Sequence, residues 1–207
     1  MKSQKPYTHR SRFAERVLAL STALLAAYQI AIGIEGRGQL PVALYTLAFG
    51  LILINALLWI VLENEFIEMR AIHAFCAIVP LSLTLGLSFE YQTAYWPLYL
   101  ILWMIALMGA LLTASRIPSA ATGGLALVYA VSGAMMVILP VAESLRGLAP
   151  RRILWVACAG AILMFEGLRM SCRLCIRGLE ETKAINMRSY LRLAFLISAT
   201  TTLGFAA

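Results

Sequence analysis

Aspartate is absent from this chain of 207 residues, and all ten of its acidic groups are glutamates. That absence excludes Asp-rich metal and phosphoryl-transfer chemistry and the paired aspartates of an aspartyl protease. Histidine is scarce as well, with only His9 and His73. A serine hydrolase needs a His base near its nucleophile, and an intramembrane metalloprotease needs paired His with Glu. Haem held by two histidines on facing helices needs a spacing that this pair does not offer. Charge of either sign is sparse: 13% of residues are charged against 61% apolar, whereas soluble domains run to about 25% charged and about 45–50% apolar. With a mean hydropathy of +0.83, a water-soluble globule could not enclose the apolar surface. The expectation is an all-α, polytopic integral membrane helix bundle that is not an enzyme and needs no cofactor.

Four cysteines (Cys76, Cys158, Cys172, Cys175) lack the spacing of a disulfide framework and are expected to be reduced. The net charge of +7 does not argue for nucleic acid, because the seventeen Lys and Arg sit between apolar runs, where membrane topology explains them. Residues 1–16 form a basic tail. The apolar run after it is longer than the roughly 7–15 residues of a signal-peptide core and has no small-residue cleavage site behind it, so it reads as a retained first helix.

Crossing about 30 Å of hydrocarbon takes roughly 17–25 apolar residues at 1.5 Å each. Six segments meet or approach that length: Val17 to Ile34, Val42 to Leu62, Ala71 to Phe89, Leu98 to Ala114, Ala121 to Ala142 and Ile153 to Leu168. A seventh, Leu191 to Ala207, has Arg192 at its edge. Seven transmembrane helices are therefore expected in a single bundle domain over residues 17–207. The alternative is six, with a re-entrant or peripheral C-terminal segment. Helix punctuation fills the short connections: Gly36 and Gly38 before Pro41, Tyr95-Trp96-Pro97, Pro118, and Ala149-Pro150. Pro80 predicts a kink in the third helix. Counting Lys and Arg in alternate connections gives thirteen on the side of the N-terminus and four on the other. The positive-inside rule then makes the N-terminus cytoplasmic, and the expected location is a bacterial inner membrane.

The end of the sixth expected helix carries most of the candidate chemistry. Glu166 and Arg169 are one turn apart within the cytoplasmic half of the expected span, where an isolated charge costs roughly 2.5–3.5 kcal/mol. They are read as an intramembrane charge pair, with Glu166 as a proton- or cation-handling group the sharper alternative. The connection at about 169–190 is basic and amphipathic, and Arg173, Arg177, Lys183 and Arg188 suit either an anionic inner leaflet or a docked protein. Cys172 and Cys175 share a face with one-turn spacing. With His73 and Cys76 on the same side they would form a metal or thiol cluster if the third and sixth helices were neighbours; two small buried cysteines are the simpler reading. The acidic stretch 63–70 lies on the side of the basic connection and offers it an electrostatic contact.

The remaining intramembrane polar residues, Gln29, Asn55, Ser132, Ser198 and Thr200 to Thr202, are expected to bond between helices in preference to lining a pore. Gly109, Ala110, Gly133, Ala157, Gly160 and Ala161 are expected at close helix contacts. No charge falls in the central thirds of the expected helices, which disfavours an ion-coupled carrier. The reading that accounts for most of this is a non-catalytic membrane-embedded subunit, scaffold or assembly partner of a larger complex or homo-oligomer. A passive channel or facilitator for a small solute comes second, and a cytoplasmic-side thiol- or metal-responsive sensor third.

Overall fold

Inside hydrocarbon no water satisfies a peptide group, so a spanning segment must close its hydrogen bonds within a helix or a closed barrel. Long apolar runs without two-residue alternation take the first route. The computed structural model describes residues 9–33, 38–62, 70–91, 118–177 and 187–205, with 96–97, 99–101, 103–105 and 107–108 between them. The described residues are almost wholly helical and contain no strand. The helices are α1 (His9–Ile32), α2 (Gln39–Leu62), α3 (Arg70–Tyr91), α4 (Pro118–Leu145), α5 (Leu154–Arg177) and α6 (Met187–Phe205), with a 3-10 turn at Arg151–Ile153 leading into α5. The first five are long and apolar enough to cross a membrane, and α6 has a shorter apolar stretch, Leu191–Phe205. The protein is an all-α membrane helix bundle.

Contacts between helix ends give the directions. Tyr45, early in α2, bonds to Glu90, late in α3. Phe205, ending α6, packs on Tyr45, and Gly204 lies against Val156 near the start of α5. Gly133 of α4 meets Gly160 of α5 while Ala126 meets Gly167, which sets those two antiparallel. The end of α3, the end of α4 and the end of α6 therefore share one end of the bundle with the starts of α2 and α5. Since α3 and α4 run the same way, the segment between them joins opposite ends of the bundle, and every described residue from 96 to 108 is helical. The last helix, α6, runs from one end of the bundle to the other: Leu191 clusters with Ala19 and Trp59 at one end, and Phe205 reaches Tyr45 at the other. Nineteen residues at 1.5 Å give about 28 Å, close to the hydrocarbon thickness.

Each helix packs on its neighbour in the chain order α1 to α6, and α6 closes the arrangement against α1. Apolar burial does not drive helices together in lipid, so close approach and dispersion must. The α4–α5 pair shows this best. A Cβ on Gly133 would lie 2.6 Å from the Gly160 carbonyl oxygen, one on Gly160 2.7 Å from that of Gly133, and one on Gly167 2.7 Å from that of Ala126. The two backbones are in contact, as expected for Gly133 and Gly160; Gly167 was not foreseen. Ala157 is buried, but Ala161 is exposed and faces away from this seam, while Gly109 and Ala110 lie outside the described residues. The most enclosed helix is α3, buried at every position from Val79 to Ser88, and α1 is the most exposed of the five long spans.

Local chemistry ends the helices where the turns require it. Gly33 (φ 74°) closes α1 by donating to the Gln29 carbonyl at 3.1 Å. Gly147 (φ 73°) closes α4, with its own N–H on the Ser144 carbonyl and the Leu148 N–H on that of Glu143. This is the paired bonding of a Schellman cap, which favours glycine at the left-handed position. Pro118, expected as loop punctuation, instead opens α4, where its missing N–H costs nothing. Proline lies inside α3 at Pro80 and inside α4 at Pro140.

Candidate functional site

Glu166 and Arg169 form the expected ion pair: an Arg169 Nη2 hydrogen donates to Glu166 Oε1 along the flank of α5. The carboxylate side chain is 12% exposed and the guanidinium side chain 32%. Arg169 Nε is buried with no hydrogen-bond partner among the described residues. The helix carrying them continues without a break to Arg177, as its amphipathic pattern predicts. The side chains of Arg173, Arg177, Lys183 and Arg188 lie outside the described residues, as do the acidic stretch 63–69 and the core of the basic connection.

The thiol cluster requires α3 beside α5. In the structure α4 stands between them, packed on both. Cys76 is partly buried against the core and hydrogen-bonded to Tyr129 of α4, while Cys172 is exposed. The side chains of His73 and Cys175 are not among those described. Among the described residues no group of three or more His, Cys or Glu is placed to hold a metal ion.

Two glutamates that sequence reasoning passed over are drawn into the opposite end of the bundle. Glu143 is 2% exposed and accepts at 2.9 Å from Arg146 Nη1, whose own side chain is 64% exposed. Glu90 accepts at 2.9 Å from the hydroxyl of Tyr45, which is wholly buried. Around Tyr45 pack Phe205, with ring centroids 4.7 Å apart, and Gly86, where a Cβ would meet the Tyr45 ring at 2.6 Å. A signal for both carboxylates was present. Each follows within one residue the expected end of its apolar run, and helices that overshoot their runs carry such residues inward.

The expectation of bonds between helices needs correction. Thr200 donates to Leu196, Thr201 to Ile197, Thr84 to Pro80 and Ser88 to Thr84, each reaching the carbonyl four residues back in its own helix. Of the serine and threonine bonds described, one weak contact crosses between helices, from Thr84 to the Ser132 carbonyl at 3.5 Å. The local carbonyl is nearer than any neighbouring helix and already oriented, so it wins. Asn55 Oδ1, Ser82 Oγ, Trp103 Nε1, Ser198 Oγ and Thr202 Oγ1 are buried with no partner among the described residues. Comparison with known proteins finds no family model, no curated protein and no solved structure that matches this chain.

Proposed function

We propose that this chain is a non-catalytic, membrane-embedded subunit or assembly partner, joined to another protein or to a second copy of itself through the outer face of α5. The observation that carries this reading is the stripe Leu154, Cys158, Ala161, Phe165, Leu168 and Cys172. All six residues are exposed and recur at alternating four- and three-residue spacing, the seam period of paired helices. Its centre is small, at Cys158 and Ala161, where a second helix can approach closely. The same helix runs on into Arg173 and Arg177, which suit an acidic partner surface or the anionic inner leaflet beside it. In this reading the N-terminus is cytoplasmic and the membrane a bacterial inner membrane, on the strength of the thirteen-to-four distribution of Lys and Arg.

Native mass spectrometry of the tagged protein, extracted gently from its own membranes, tests the reading. A stoichiometric assembly is expected from the unaltered chain, and Ala161→Trp together with Arg173→Glu and Arg177→Glu should reduce it to the free chain. A monomer from the unaltered protein removes the proposal. The second reading, a facilitator for a small neutral solute, draws support from the buried hydroxyls of Ser82, Ser198 and Thr202, which lack partners among the described residues. Solute flux into liposomes containing the chain alone tests it.

A further inference from the structure

Most buried serines and threonines with a described bond follow one habit, and Ser82, like Ser198 and Thr202, departs from it. Ser21, Thr22, Thr84, Ser88, Ser171, Thr200 and Thr201 all donate to the carbonyl four residues back. Ser82 is 0% exposed, lies near the middle of the apolar stretch Ala74–Tyr91, and has no hydrogen-bond partner among the described residues. Trp103 packs against the core, and its indole nitrogen is likewise buried without a partner. An indole N–H can only donate, and leaving it unpaired in a dry interior forfeits the full desolvation penalty.

The helix hairpin places these two groups opposite each other. Phe89 of α3 stacks on Trp96 of the returning segment, with ring centroids 4.8 Å apart. Seven residues carry a helix about 10.5 Å along its axis and back to the same face within about 20°. Seven residues before Phe89 is Ser82, and seven after Trp96 is Trp103. In an antiparallel pair both steps lead in the same direction from the stacked rings, so Ser82 and Trp103 share one interface at one depth. Neither group has a hydrogen-bond partner among the described residues.

We infer that Ser82 and Trp103 together form a binding site for one small uncharged molecule that accepts a hydrogen bond from the Trp103 indole and exchanges one with the Ser82 hydroxyl. Water and the hydroxyl or carbonyl group of a small neutral solute share that chemistry. An ion does not fit, because Ser82 lies near the middle of its apolar span and a charge at this depth needs a counter-charge. The site stands independently of the subunit reading, since it faces the interior and not the outer stripe of α5.

The test uses the full chain in lipid nanodiscs with ¹⁵N-labelled indoles, whose four tryptophan signals are separated by assigning Trp103 through Trp103→Phe. Magnetisation transfer from water to the Trp103 indole proton in the unaltered protein is expected despite its depth. Glycerol is then titrated. A saturable loss of that transfer, with a shift of the Trp103 signal, identifies a solute site, and an unchanged signal identifies a water site; both uphold the inference. Absence of both water transfer and any glycerol response overturns it. Ser82→Ala should shift the Trp103 signal more than the other three, and a Trp103 signal indifferent to that change would also overturn it. If Ser82→Ala does not fold, the measurement on the unaltered chain decides.

Discussion

Glu143 with Arg146 and Glu166 with Arg169 are the same local motif, a glutamate followed three residues later by an arginine, placed toward opposite ends of the α4–α5 hairpin. Their surroundings divide them. Glu143 sits in the last turn of α4, where the helix dipole opposes a carboxylate, yet its side chain is enclosed to 2% exposure and its arginine reaches out to 64%. That pair links the interior to the bundle end. Glu166 and Arg169 lie side by side on a helix flank, each partly enclosed at 12% and 32%. Spacing along a helix decides that two charges meet; the chain folded over them decides what the meeting contributes.

What the two pairs share is the backbone contact between their helices, and breaking it should have the largest effect. Gly160→Leu drives a side chain into the Gly133 carbonyl and is expected to destabilise the bundle by about 3 kcal/mol, read as a lowered unfolding temperature in nanodiscs. Gly50→Ala is the matched control, because nothing lies within 4 Å of its Cβ; it should leave the unfolding temperature unchanged or slightly raised. Equal effects at both positions would show that the α4–α5 contact is no tighter than the rest.

Removing the arginines sharpens the difference between the pairs. Arg146→Ala leaves an enclosed carboxylate without its cation and should cost about 1–3 kcal/mol, partly restored by adding Glu143→Gln. Arg169→Ala leaves a less enclosed carboxylate, 12% exposed against 2% for Glu143, and should cost less than Arg146→Ala. The same unfolding assay reads both, and a larger loss at Arg169 reverses the ranking. The most local effect is expected at the cap that folds the chain back beyond Glu143. Gly147→Ala forces a Cβ into the left-handed region at a cost of about 1 kcal/mol, and amide exchange at Leu148 and Ala149 should accelerate while α1 is untouched.

The Glu166–Arg169 pair was legible because its two members are three residues apart on one helix, at the end of one apolar run. The Tyr45–Glu90 bond was not, since 45 residues separate its partners and only the antiparallel course of α2 and α3 joins them. Gly133 and Gly160 could be named as packing residues from their size. That they face each other while Ala161 faces outward depends on the rotation of α5 about its axis, which apolar composition leaves open in a helix with no polar face. The thiol cluster, conditional on the third and sixth expected helices being neighbours, turned on a related fact: sequence order puts His73 and Cys76 on the same side as Cys172, and α4 stands between their helices.

From the sequence alone came the solvent and the secondary structure. Apolar runs of that length with so little charge belong in a bilayer, and a bilayer accepts only chains that satisfy their own peptide groups. The long apolar helices and the Glu166–Arg169 contact follow from the same local rules of length and periodicity. Helix neighbours, the burial of Glu143, the Tyr45–Glu90 bond and the backbone contact through Gly133 and Gly160 were decided by tertiary structure. In lipid the apolar faces of a helix are energetically alike, so the choice among them is made by close packing and by the few polar groups that must find partners across space.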